Sequence, residues 1–357
     1  MNCSSRIAFM RTLFFLLFLL LPISFPFTST TANAFTSTTT TAAEQAEALL
    51  NWKSSLLHNQ TNSDLLPSWT LTNSSSSSSC NWVGIVCNQF GSVSHIELWD
   101  MGFQGTLKSF NFTSFPDLVH LQLTNLTLFG TIPFQISSLS KLRFLDLSFN
   151  QIYGDIPSEI SGLTSLQFLN LAVNNLNGSI PPGIGKVIHL IELNVSSNNL
   201  SGSIPTSLGD LYNLTCLSLS VNAFSGSLPV EIGNLKNLSE LYMYQNSLTG
   251  SIPSTFGNLT KLTKLYLYQN NLCGPIPSEI GNLASLVDLE LSSNLLTGSI
   301  PLTFANLSKL ENLFLINPFH AWELNQVEHI ISVSQLSFWF YSFRNWKLGI
   351  PCKYRSV

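Results

Sequence analysis

Leucines alternate with mostly polar residues in a short run, LxL, and that run returns at a fixed interval along most of the chain. Written LxLxxNxLxGxIP, the unit starts at Ile96, Leu121, Leu145, Leu169, Leu193, Leu217, Leu241, Leu265 and Leu289, and a broken tenth begins at Leu313. Successive starts are 24 residues apart, except the first pair at 25. The alternation predicts a short strand whose leucines point inward while the residues between them face out. Asparagine follows the strand at Asn150, Asn174, Asn198, Asn222, Asn246, Asn270 and Asn294, giving way to Met101, Leu126 and Pro318 near the ends. Its side chain is short enough to hydrogen-bond backbone in a tight turn and tie one coil to its neighbour. Glycine relieves the next turn, and Ile-Pro sets the return path. A repeat of this period predicts coils stacked into a curved solenoid, their strands forming a parallel sheet on the concave face. Each buried leucine contributes about 2–3 kcal/mol, and only when neighbouring coils stack.

The segment before the repeats predicts a cap. Thr41 stands three residues ahead of Glu44, a capping-box spacing. Ala46, Leu49, Leu50, Lys53, Leu56 and Leu57 then recur at helical intervals, predicting an amphipathic helix over roughly Ala42 to Leu57. A serine run from Ser74 to Ser79 reads as a loop, and Trp52, Trp69 and Trp82 surround it with aromatics able to close the end of an array. Cys80 and Cys87 bracket Asn-Trp-Val-Gly-Ile-Val and are close enough to pair. The expected organisation is a leader over 1–34, a Ser/Thr-rich spacer over 35–41, a cap over 42–90, repeats over 91–316 and a non-repeat tail over 317–357.

Composition narrows the setting. Charged residues make up 10% of the 357, against roughly 25% in ordinary soluble domains. The net charge is −4 and no Lys/Arg run occurs, so nucleic acid is not expected as a partner. Arg6 and Arg11 precede the apolar run Leu13–Leu21, followed by Ala32-Asn33-Ala34, the layout of a secretory signal peptide. Sequons at Asn59, Asn73, Asn111, Asn125, Asn177, Asn194, Asn199, Asn213, Asn237, Asn258 and Asn306 agree with a secreted glycoprotein. That context permits a Cys80–Cys87 disulfide; Cys216 and Cys273 read as free packing thiols. The tail after Asn317 carries Pro318, Trp322, Trp339 and Trp346 and no repeat signal. It reads as the end of a truncated product, with an improvised cap as the second option.

Candidate contact residues are those facing outward from the strands. In the units starting at Leu241 and Leu265 they are Tyr242, Tyr244, Gln245, Tyr266, Tyr268 and Gln269. With neighbouring strands about 4.8 Å apart, these form one patch. Tyrosine offers rigid apolar area and a hydroxyl, which suits an extended peptide; mutual stacking across strands is the plainer alternative. Small residues flank the patch at Ser218, Ser220 and Ser292, and Glu240, Lys264, Asp288 and Glu290 could orient a ligand. Trp99 and Asp100 form a second candidate, with packing of Trp99 against the cap preferred over an exposed anchor. His95 and His120 share one register, and without a nearby carboxylate or cysteine they make a thin case for metal. No HExxH, GxSxG, P-loop, dinucleotide or kinase motif occurs, so no enzyme and no cofactor are expected.

The extended unit LxxLxLxxNxLxGxIPxxIGNL, as from Leu217 to Leu235 and Leu265 to Leu283, resembles the plant-specific class of leucine-rich repeats. The cap Cys80-Asn-Trp-Val-Gly-Ile-Val-Cys87 resembles that of plant receptor-like kinases and receptor-like proteins. Gly105-Thr-Leu-Lys-Ser-Phe-Asn-Phe with Phe115-Pro116-Asp117-Leu118 is similar to their male-discoverer-interacting subfamily. The resemblance covers roughly Ala42 to Leu315 and implies an α/β repeat fold, a right-handed leucine-rich-repeat solenoid. It implies an extracellular recognition protein, secreted to the apoplast or cell wall, that binds a peptide or protein ligand on its concave face. A co-receptor ectodomain would be a second partner, and a receptor fragment would sit at the cell surface. A secreted inhibitor of a cell-wall hydrolase and a non-functional truncated receptor kinase product are the alternatives.

Overall fold

A computed structural model describes residues 41–56, 66–71 and 79–315. The expected leader, nearly all of the serine run and the tail lie outside them. The chain opens with α1 (Ala42–Ser55), whose start has the expected chemistry: Thr41 Oγ1 accepts from Glu44 N–H while Glu44 accepts from Thr41 N–H. Together they satisfy two donors that a helix leaves unpaired at its start. The helix ends at Ser55, two residues before the pattern predicts. It buries Ala46, Leu49 and Trp52. Trp52 sits 6.4 Å from Trp69, which stacks on Trp82 at 5.6 Å. Both deep indoles find acceptors, Trp52 Nε1 donating to Thr106 O and Trp69 Nε1 to Val83 O. The Cys80–Cys87 disulfide closes the cap.

Among the described residues, eleven strands form one sheet, its first strand, Ile85–Cys87, running antiparallel to Val93–Trp99. Every later pairing is parallel, through His120–Thr124, Phe144–Asp146, Phe168–Asn170, Glu192–Asn194, Cys216–Ser218, Glu240–Tyr242, Lys264–Tyr266, Asp288–Glu290 and Asn312–Phe314. The register is that of the repeat: Leu193 opposes Leu217, then Leu241, Leu265 and Leu289. Their side chains are buried in one continuous core.

The asparagine ladder works as the pattern predicts. Asn222 accepts from Leu200 N–H of the preceding coil and donates to Val195 O of that coil and to Leu219 O and Ser220 O of its own. The other six repeat this scheme. The residue just before each ladder asparagine lies in the left-handed region, Phe149 and Val173 at φ 56° and Val221 at 55°, where bulky or β-branched side chains are strained. There the backbone turns so that its N–H bonds the next coil, as Val173 to Ser196 O.

On the far side, proline leads into a five-residue 3₁₀ turn in each coil from Phe134–Ser138 to Leu302–Asn306. Pro205, at φ −69° and ψ 135°, holds an extended approach that its ring favours. The turns stack tightly: a Cβ on Gly257 would stand 2.3 Å from Glu279 O, so only glycine admits the next coil there. Between strand and turn lie two further sheets that the pattern did not predict. One has four strands, Gly105–Thr106 to Asn175–Asn177, and one has five, Ser201–Ser203 to Leu295–Thr297.

Candidate functional site: the open concave face

The concave strands leave their outward residues in rows, one residue per coil. Tyr242, Tyr266, Tyr244 and Cys216 gather into an apolar cluster separate from the solenoid core. Tyr242 meets Tyr266 edge-on at 5.2 Å, and Tyr244 stacks on Tyr268 at 4.4 Å with planes 6° apart. Such geometry follows from tyrosines facing each other in register on adjacent strands. Tyr242 departs from the expected contact role: it is only 7% exposed, and its hydroxyl donates to Glu240 Oε2 at 3.1 Å. It lies below the surface and supports its neighbours. Tyr244, Tyr266 and Tyr268 are half-buried, and Gln245 and Gln269 are exposed beside them.

Burial holds the Tyr242, Tyr266 and Tyr268 hydroxyls in their neutral form. Burial, then the nearby Asp288 and Glu290 carboxylates, push Tyr266 up to about 12. Burial raises Tyr242 and Tyr268 further, helped by Glu240 and by Tyr244 respectively. Burial also raises the Glu290 carboxyl. Glu240, Lys264 and Asp288 oppose one another in register, so the row beside the tyrosines alternates in charge. The patch therefore offers half-buried phenol rings and hydroxyl donors beside acidic side chains.

A second row of rings runs along the other half of the face. His95 stacks on His120 at 5.5 Å, His120 on Phe144 at 4.1 Å, and Phe144 lies 5.8 Å from Phe168. The two phenylalanines were missed in the sequence, although both stand just before the first leucine of their units. The expectation that no carboxylate accompanies the histidines is corrected: Glu97 Oε1 lies 3.8 Å from His120 Nε2, because alternation on adjacent strands brings them to one face. Burial lowers the His95 pKa, against the opposing pull of Glu97. Among the described residues no group of three or more His, Cys, Asp or Glu could hold a metal ion.

Two further expectations change. Cys216 and Cys273 are not free thiols: no described cysteine is free, and both are disulfide-bonded. The free-thiol expectation rests on their different repeat positions, which put neither in register with a partner. Trp99, expected to pack against the cap, stays 53% exposed beside the cap residues Val83, Gly84, Ile85 and Val86, since the strand next to it ends before reaching it.

The sequons fall mainly away from the concave face. Asn177 and Asn199 lie on the lateral side, Asn213 and Asn237 donate to carbonyls of the preceding coil, and Asn258 and Asn306 end 3₁₀ turns. Asn111 and Asn125 are exposed. Asn194 is 4% exposed and accepts from Ser196, so a glycan there would have to displace the sheet. Asn59 and Asn73 lie outside the described residues.

Among the described residues, no helix is long and apolar enough to cross a membrane. Residues 42–88 match the leucine rich repeat N-terminal domain, 140–183 match leucine rich repeats in two copies, and 198–336 match a leucine-rich repeat region. The Arabidopsis thaliana MDIS1-interacting receptor like kinase 2 is 40% identical over 99 residues, 28% of this chain and 9% of the relative. The ectodomain of the Arabidopsis thaliana receptor kinase GASSHO1/SCHENGEN3, solved in complex with CASPARIAN STRIP INTEGRITY FACTOR 2, superposes with a TM-score of 0.71. It is 34% identical, and the match covers 75% of this chain and 32% of that one. The Arabidopsis receptor kinase HAESA, solved with the peptide hormone IDA and the co-receptor SERK1, gives a TM-score of 0.62 at 31% identity, covering 77% and 49%. The chain thus spans half or less of these solved ectodomains and under a tenth of each curated kinase it matches. Repeat register, cap and these matches together make it a leucine-rich-repeat protein with a leucine-rich-repeat N-terminal domain, homologous to the ectodomains of plant receptor-like kinases.

Proposed function

We propose that this chain is an extracellular recognition module that takes a peptide or protein segment along its concave face. Tyr244, Tyr266, Tyr268, Gln245 and Gln269 make the contact, and Tyr242 supports them from below. The observation that carries this reading is the tyrosine cluster itself, a group of half-buried rings on the open face rather than in the core. Rigid rings with hydroxyls lose little entropy on binding and serve both the apolar side chains and the backbone of an extended ligand. The solved complexes of GASSHO1/SCHENGEN3 and HAESA support a ligand-binding role for this class of ectodomain, and the latter supports a co-receptor as second partner. Recognition, and not catalysis, is the activity proposed for the described residues.

Titration calorimetry with a panel of secreted plant peptides tests the reading. The Tyr244→Ala, Tyr268→Ala double variant should bind roughly 30-fold more weakly, the loss expected of central aromatic contacts. Unchanged affinity in a variant with wild-type circular dichroism removes the patch from the binding site. Absence of binding across the panel, with a hydrolase captured from wall extract instead, favours an inhibitor.

A further inference from the structure

The first coil presents an indole where the next five coils carry the small residues Thr124, Ser148, Ala172, Ser196 and Ser220. Trp99 ends the strand Val93–Trp99 and faces Thr124 on one side. On the other, the cap strand Ile85–Cys87 pairs only as far as Ile85 with Ile96, and Gly84 O accepts from Glu97 N–H at 2.8 Å. The chain leaves the sheet there, and an open recess of about 540 Å³ remains beside the indole. Gly84 is required at its edge, because at φ 76° a Cβ would stand 2.5 Å from Glu97 O.

The lining has a definite chemistry. Trp99 is 53% exposed, and Val83 and Val86 are about equally so, at 50% and 48%. Glu97 and Asp100 contribute carboxylates, and among the described residues no cationic side chain lines the recess. Asp100 is held at φ 54°, its carboxylate accepting from Asn125 Nδ2. An anion would be repelled here, and a purely apolar occupant would cover carboxylates without pairing them, which is costly.

We infer that the Trp99 recess is a second docking site, which receives an arginine side chain of a partner protein. A planar guanidinium stacks on an indole face while its N–H groups reach carboxylates. The aliphatic stem lies against the valines. The site stands six coils from the tyrosine cluster along the same face, roughly 30 Å at strand spacing, so it engages a partner independently of a ligand held at the tyrosines.

The test titrates acetyl-Gly-Arg-Gly-amide into the secreted chain and follows the indole N–H resonance of Trp99, assigned by its loss in Trp99→Leu. A saturable shift is expected that weakens at high salt, with the citrulline analogue silent and the lysine analogue several-fold weaker. Binding seen on other resonances should fall about fivefold in Trp99→Leu and also fall in Asp100→Asn. Asparagine keeps the acceptor for Asn125 and tolerates the left-handed backbone, so that variant retains the fold if Trp99→Leu does not. Tyr244→Ala, Tyr268→Ala should bind the peptide as wild type does. No shift at tens of millimolar, equal binding of citrulline or lysine, or loss of binding in the tyrosine variant would each overturn the site.

Discussion

Replacing Asn150 by alanine removes the most heavily used member of the ladder. Its Oδ1 accepts from Leu126 N–H at 3.1 Å and Leu128 N–H at 3.0 Å, and its Nδ2 donates to Leu123 O at 2.7 Å and to Leu147 O and Ser148 O. Leu126 and Leu128 are fully buried, so alanine strands two backbone donors away from water. A buried donor left unsatisfied costs about 1–3 kcal/mol, giving roughly 2–6 for the pair. A water entering the vacated space restores part of this, and about 3 kcal/mol is the expected net loss. Asn294, whose Oδ1 accepts from Leu272 N–H alone among the described bonds, should lose about half as much. Urea unfolding followed by circular dichroism reads both as a lower midpoint at unchanged slope. A loss below about 0.5 kcal/mol for Asn150→Ala would refute the claim that the ladder ties the coils.

Four further outcomes are expected. Val221 is strained at φ 55° and partly exposed, so Val221→Asn should stabilise by about 1 kcal/mol in thermal unfolding; destabilisation would show that its packing outweighs the strain. Replacing Cys80 and Cys87 by serine opens a short loop and should cost about 2.5 kcal/mol, read as faster amide exchange in α1 while central coils hold. Tyr266 ionises at about 12 in the folded chain, against 10.0 for an ordinary tyrosine. The folded state thus holds this proton more tightly, so its contribution to stability is complete below pH 10 and falls away as pH rises through 12; ultraviolet titration at pH 11 should find this ring still largely neutral. Glycopeptide mapping should find Asn194 unmodified and sugars confined to exposed sequons; an occupied Asn194 in folded protein would contradict its burial.

Much of this fold was legible because the repeat imposes its physics nine times over. Leucine alternation announced the strands, and the asparagines announced a bond to the preceding coil that all seven make. The lateral sheets were not legible: Ser201-Gly202-Ser203 is exposed throughout, has no apolar alternation, and pairs because stacking elsewhere brings coils together. The left-handed positions were hidden because Val173 and Val221 are residues that disfavour that backbone. At the site, spacing placed the tyrosines in one patch correctly, but burial of Tyr242 depended on Glu240 lying beside it, which alternation alone does not reveal. Trp99 was misjudged because the cap strand's length decides its exposure.

The account rests on coils that stand only by leaning on one another and leave one sheet face open. Amide hydrogen exchange read by mass spectrometry along the whole chain tests this most directly. It should show one contiguous protected array across the coils from Leu121 to Leu291, deepest in the middle and shallower toward the ends, with strand and ladder amides slowest in every 24-residue period. Separate protected blocks divided by freely exchanging coils, or protection without that period, would contradict it.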